Sequence, residues 1–407
     1  MEVLHPRCAG LDVHKDTVVA CARIMEDGKV EQHVETFGTM TSDLERLRDW
    51  LTSHGCTHVA MESTGVFWKP VWHVLEGRFE LVRANAAHVR NVPGRKTDVS
   101  DAMWLADLLA HGLIRGSFVP ELCIQELRDL TRTRKQLVRE RAQHVQRIQK
   151  VLQDANIKIS SAVTDIMGKS GRAILEALIA GETDPDVLAS FASSRIKAGR
   201  NKLVESLRGR VRDHHRFMLE LHYDQVGNIE AAIAEIDTKL GDHTEPFRDK
   251  VELLTTIPGV SDTIAEVIVS EIGLDMGRFP SAAHLVSWAG MCPRNDETAG
   301  KRRSTRVRKG APWLKTQLVQ AGWCATRAKN TYLRAQFLRL KSRRGPKKAV
   351  MAVGASILTA AYHMLQRNEP YRELGPNYFD RLQKDKLVKR LVRKIEELGY
   401  AVDLKAA

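Results

Sequence analysis

The sequence predicts an α/β N-terminal domain, then a long helical region and a mainly α C-terminal domain. Three observations predict it. Short apolar runs with strand periodicity alternate with helical patterns up to about residue 115, strand signals vanish after Pro120, and near Glu252 two helical patterns flank a tight glycine turn. With 407 residues and 43% hydrophobic content, the chain has room for two or three domains with their own cores, and the composition argues against disorder.

The elements follow in order. "CAGLDV" and "TVVACARI" read as strands around the polar turn His14 to Asp16, and Asp27-Gly28 turns the chain into a third strand, "VEQHVETF". A helix from about Ser42 to His54 leads to the strand "THVAMES", a helix near "VFWKPVWHVLEG", the strand "FELVRAN" and a helix entered through "KTDVSDA". An antiparallel meander of three strands followed by alternating helices and strands is the order of ribonuclease-H-like (RuvC-like) folds. Beyond Pro120, Leu130, Leu137, Val138, Val145, Ile148 and Leu152 recur at helical intervals among Arg132, Arg134, Lys135, Arg139, Arg147 and Lys150, which describes a basic, coiled-coil-like helix. A second long helix runs to about residue 240, with Val226, Ile229, Ile233, Ile236 and Leu240 in a 3-4-3-4 rhythm; the two pack as an antiparallel hairpin or form an oligomer stalk. "LLTTIPGVSDTIAEVI" is a helix, a turn at Gly259 and a helix opening at Ser261. Such a helix-hairpin-helix-like turn presents backbone N–H groups to a phosphate, or is simply a structural turn. The expected boundaries are residues 1–118, 119–250 and 251–375, followed by a basic helical tail at 376–407.

Sixty-three Lys and Arg against fifty Asp and Glu give a formal charge of +13 and a pI near 9.5, and the excess is concentrated, which favours a polyanionic partner. "KRRSTRVRKG" and "KSRRGPKK", broken by Gly and Pro, read as poor helix and good phosphate-binding loop. They name Lys301, Arg302, Arg303, Arg306, Arg308, Lys309, Arg343, Arg344, Lys347 and Lys348 as nucleic-acid contacts. The same letters fit a nuclear-localisation signal, which nothing else supports. The six cysteines are far apart with no C-x-x-C pair, against a zinc site or disulfide framework. By this reading no apolar run reaches the roughly 18 to 20 residues a membrane span needs and the start has no signal-peptide core, so the expectation is a soluble, cytoplasmic protein without a membrane partner.

Four acids invite a chemical reading. Asp12 ends the first strand where alternation calls for an apolar or neutral residue, Glu62 ends a later one, and Asp98 and Asp101 share a helical face. Strand ends and helix initiation are the bland account, with Thr97 as cap and the acids facing the helix dipole. Taken together in fold order, four converging carboxylates repel and protonate unless cations neutralise them. Two magnesium ions about 4 Å apart would do so, an arrangement suited to phosphodiester chemistry.

Asp12 in "GLDVHK", Glu62 in "MESTGVFW" and the pair in "RKTDVSDAMWLADLL" resemble the DEDD tetrad of the RuvC-like domain in the bridge-RNA-guided insertion-sequence transposases of the IS110 type. "LLTTIPGVSDTIAEVI", "RFPSAAHLVSWAGMCPR" and "GKRRSTRVRKGAPWLKTQLV" resemble the second domain of that family, so the likeness covers roughly residues 8 to 118 and 252 to 365. It implies a DNA transposase or recombinase whose acidic domain holds Mg2+ and whose C-terminal domain supplies a serine that attacks the DNA phosphate. It also implies a coiled coil joining subunits into a dimer or tetramer, a noncoding bridge RNA that pairs with target and donor DNA, and a bacterial, nucleoid-associated setting. The family's serine falls on Thr298 in this chain, with Ser304 as the alternative nucleophile, and Arg302, Arg303 and Arg306 are placed to neutralise phosphate charge. Two rivals stay open: a Holliday-junction-type hydrolytic nuclease using the acids alone, and a non-catalytic nucleic-acid-binding scaffold.

Overall fold

The computed structural model describes residues 2–63, 65–84, 89, 101–114, 116–193, 196, 198–293, 296–298, 300–304, 306–307, 310–382 and 384–404. The chain divides into two compact units, Met1–Val119 and Pro120–Ala407.

The first unit is built on one sheet. β1 (Arg7–Val13), β2 (Thr17–Glu26) and β3 (Lys29–Gly38) form the expected meander, with Asp27 and Gly28 at positive φ in the second turn. α1 (Thr41–Ser53) carries the chain back to β4 (His58–Ser63), and α2 (Trp68–Leu75) leads to β5 (Glu80–Arg83). The order is β3-β2-β1-β4-β5, with β4 parallel to β1 and to β5 and the other pairs antiparallel. This mixed sheet is consistent with the predicted ribonuclease-H-like arrangement.

Alternation along β1 assigns its two faces. Ala9, Leu11 and Val13 join Leu44, Leu47 and Leu51 of α1 and Val71 and Leu75 of α2 in one core. Cys8, Gly10 and Asp12 point the other way, where α3 (Asp101–Ala110) covers the sheet with Ala102, Ala106, Leu109 and Ala110. Arg23 of β2, almost fully buried, is anchored to this helix by Asp107 at 3.2 Å.

In the second unit, α4 (Leu122–Asp154) and α8 (Asp213–Thr244) are 33 and 32 residues long. Their side-chain contacts step in opposite directions: Glu126 with His243, Arg134 with Asp237, Arg141 with Glu230, Asp154 with His215. The pair is therefore antiparallel within one chain. Three short helices between them, α5 (Lys169–Ile179), α6 (Pro185–Ser190) and α7 (Arg200–Leu207), close a core around Ile148, Leu152, Leu219 and Val226. Nearer the other end of the pair, the apolar stripe is thinner, since Leu130, Leu137, Ile233 and Ile236 are only half-buried.

α9 (Arg248–Thr255) and α10 (Asp262–Ile272) form the predicted helix, turn and helix. Buried Glu271 of α10 takes a bidentate pair from Arg132 of α4, at 2.7 and 2.9 Å, while Arg128 donates to the Ser270 and Glu271 carbonyls. α11 (Ala282–Trp288) leads into a small hairpin, β6 (Asp296–Thr298) and β7 (Lys301–Ser304), followed by α12 (Pro312–Ala325), α13 (Tyr332–Arg344) and α14 (Pro346–Arg367). α15 (Tyr378–Leu382) and α16 (Lys384–Glu396) form the basic tail.

Three expectations change. "KRRSTRVRKG" opens as a strand, because Lys301, Arg302 and Ser304 pair with β6 across a register shift. "KSRRGPKK" is not a loop: Lys341, Arg343 and Arg344 close α13, where cations complement the carbonyl end of a helix, and Pro346 opens α14 at a position that needs no N–H. α14 is 22 residues and apolar enough by length and composition to cross a membrane, contrary to the expectation that no such run exists. Its Val350, Val353, Ile357, Leu358 and Ala361 are buried within this unit, so the apolarity serves a protein core.

Candidate functional site

Asp12 and Glu62 are register partners on parallel strands, so their side chains leave the same face of the sheet at the carboxyl ends of β1 and β4. The face is the one under α3. Gly10, two residues before Asp12, has the Ala102 carbonyl and the Ala106 amide where a Cβ would stand, so the helix backbone lies directly on the strand. The Cys8 thiol donates to the Ala106 carbonyl and the Leu4 amide to the Ala110 carbonyl. α3 therefore runs opposite to β1, and its first residue, exposed Asp101, sits at the end of the sheet where Asp12 and Glu62 emerge. Three of the four predicted acids are thus placed at one edge of the sheet, Asp12 and Glu62 by register and Asp101 by the start of α3. Asp98 lies outside the described residues.

His14, assigned by the sequence only to a polar turn, brings Nε2 to 3.2 Å from Asp12 Oδ2. The Asp12 side chain is 22% exposed and Glu62 is half-buried, so the edge is reachable from solvent. Among the described residues no three His, Cys, Asp or Glu side chains already stand as a ligand set for a metal ion. Carboxylate oxygens are nonetheless the donor type that a hard divalent cation takes, alongside several waters.

The remaining predicted residues lie in the second unit. Thr298 ends β6 and pairs with Lys301 across the hairpin tip; its side chain, like those of Arg302 and Arg303, lies outside the described residues. Arg308 and Lys309 also lie outside them. Ser304 sits at the opposite end of β7, and its Oγ accepts the Arg306 backbone N–H at 3.2 Å, which is a local structural task. Lys301, Arg306, Arg343, Arg344, Lys347 and Lys348 are all exposed.

Gly259 has a structural reason to be glycine. Its φ is +89°, and Ala321 O and Ala325 N of α12 stand 2.5 Å from where a Cβ would be. Gly259→Ala is expected to destabilise the second unit by roughly 2 to 5 kcal/mol, from strain at positive φ and overpacking together. Thermal unfolding of the variant checks it, and an unchanged melting curve refutes the packing.

Two family models match the chain, one over most of the first unit and the start of the second, one within the second. Residues 9–157 match a transposase family model, the DEDD domain of the IS110 type, which runs past Val119 and through the whole of α4. Residues 251–338 match the model of the transposase IS116/IS110/IS902 family. Together the matches span more than half of the 407 residues. No curated protein matches the chain.

Proposed function

Since the chain belongs to the IS110 family of insertion-sequence transposases, enzymes that cut and recombine DNA, we propose that it exchanges strands through a covalent intermediate on a hydroxyl of its own. The observation that supports metal-dependent strand cleavage is the register of Asp12 with Glu62 at the edge where α3 begins with Asp101; the hydroxyl step rests on the resemblance that puts Thr298 at the family's serine. A DEDD domain implies a divalent metal, and magnesium suits its all-oxygen donors. Asp12, Glu62 and Asp101, with Asp98, would hold it, and when bound it would neutralise charge on the scissile phosphate and favour the ionised nucleophile.

The chain's own groups carry the rest. The Thr298 oxygen attacks phosphorus, a Thr298–phosphate ester forms, and the broken P–O bond leaves as a DNA hydroxyl that takes up the proton. Attack by another strand's hydroxyl reverses the sequence, so each phosphodiester broken is replaced and no outside energy source is needed. Arg302, Arg303 and Arg306 offset the charge that grows on the phosphoryl oxygens. The helix pair α4 and α8 is the proposed coiled coil joining subunits into a dimer or tetramer. A noncoding bridge RNA would pair with target and donor DNA; the resemblance and the basic excess support this. Such an enzyme would work on nucleoid DNA in the cytoplasm.

Incubation with DNA carrying an insertion-sequence junction should yield a magnesium-dependent protein–DNA adduct. Cleavage without adduct supports the hydrolytic nuclease, a reading that the threonine at the expected serine favours. Neither cleavage nor adduct supports a binding scaffold.

The exposed cations of 301–306 and 341–348 give a further expectation. If about six to ten phosphates are contacted, affinity for duplex DNA should fall by roughly 10³ to 10⁵ between 50 and 200 mM salt. A flat titration refutes electrostatic binding.

A further inference from the structure

Most arginines in the middle of α4 are matched by an acid. Arg132 pairs with Glu271, Arg134 with Asp237 and Arg141 with Glu230. Lys135 and Arg139, one helical turn apart, are different: among the described residues neither has a carboxylate within ion-pair distance. Burial holds the Lys135 ammonium below the usual lysine range, and Arg139 and Arg134 beside it lower it further. The Arg139 guanidinium lies over the Trp313 ring, 5.2 Å from its centroid, with that of Arg132 at 5.9 Å.

Trp313 is the second residue of α12, three residues beyond the basic segment 301–310. The α4 cations are therefore tied, through this ring, to the helix start that follows the basic segment in the chain. Gathered like charges without a counter-charge are unfavourable, and an anion relieves them. A guanidinium resting on an aromatic face keeps its fork of N–H donors for a phosphate, and the ring limits its freedom beforehand.

We propose that Lys135, Arg139 and Trp313 form a phosphate-binding site for the backbone of the same DNA that the 301–310 segment engages. The site extends the basic segment onto α4, and its assignment to DNA rests on the recombinase reading above. Lys135 and Arg139 are the phosphate donors, and Trp313 is a positioning residue for Arg139.

The test uses the full chain, a DNA duplex and a structured RNA hairpin as probes, and affinity measured from 50 to 200 mM salt. Removing two phosphate contacts should make the logarithmic salt slope for DNA shallower by roughly 1.8, about 0.9 for each contact. Lys135→Ala/Arg139→Ala should show that loss and Arg139→Ala alone about half of it. Arg139 is exposed, so the single variant stays informative if the double variant folds poorly. Lys150→Ala, an exposed cation at the far end of α4, should keep the wild-type slope. Trp313→Phe should keep the affinity that Trp313→Ala loses, since the phenyl ring retains a face for the guanidinium. An unchanged DNA slope in Arg139→Ala overturns the proposal, as does a slope that changes for the RNA alone. Should the wild-type chain itself bind DNA without salt dependence, the electrostatic binding reading fails first and takes this site with it.

Discussion

Asp12→Asn is expected to abolish magnesium-dependent strand cleavage, with a loss on the order of 10³-fold or more. A divalent cation supplies several kcal/mol of charge stabilisation at a transferring phosphate, and each 1.36 kcal/mol is tenfold in rate. Asparagine keeps the shape of the side chain but contributes no negative charge to hold the cation. The fold should survive. Asp12 faces Glu62 across the parallel pair, and neutralising one member of a like-charge neighbourhood leaves stability unchanged or slightly raised without metal. Glu62→Gln and Asp101→Asn should behave alike, because their positions converge on the same edge. The measurement is single-turnover cleavage of labelled junction DNA over a magnesium titration, with thermal unfolding alongside. Wild-type cleavage rates in Asp12→Asn would sink the acidic site.

Thr298→Ala should remove recombination and the covalent adduct while divalent binding persists, because the acids belong to the other unit. Thr298→Ser should keep or raise activity: the attacking atom is preserved and the β-methyl that crowds an in-line approach is gone. The rival prediction is equally sharp. With Ser304 as nucleophile, Thr298→Ala stays active and Ser304→Ala does not. The Ser304 hydroxyl already accepts the Arg306 backbone N–H, so its removal should also loosen the end of β7. Trapping the adduct on a nicked substrate and identifying the modified residue by mass spectrometry decides between them.

The N-terminal sheet was legible because each of its signals is local. Asp27-Gly28 marks a hairpin turn, alternation from Cys8 to Val13 separates two faces, and the order of strands and helices then leaves few topologies. The register of Asp12 with Glu62 followed from that order, although no local feature encodes it. His14 escaped because a histidine in a polar turn looks like every other turn residue until the sheet brings it against Asp12. The basic segments were misread for a physical reason: cations at a helix end and a proline at a helix start are also the letters of a loop, and only α13 and α14 packing together distinguishes them. The unmatched pair Lys135 and Arg139 was invisible too, since pairing of the other arginines depends on acids from α8 and α10 that lie far away in sequence.

Gly10 sets different rules of substitution for the two sides of β1. On the side of Ala9, Leu11 and Val13, side chains meet side chains, and a gain of volume at one position can be balanced by a loss at another. On the side of Gly10, strand backbone meets helix backbone, and nothing nearby can shrink to make room. A library randomised at Leu11 should thus yield many active folds, whereas one randomised at Gly10 should return glycine. Variants that fold there at all would do so with α3 lifted from the sheet and Asp101 separated from Asp12, so that foldability and chemistry part company at a position without a side chain.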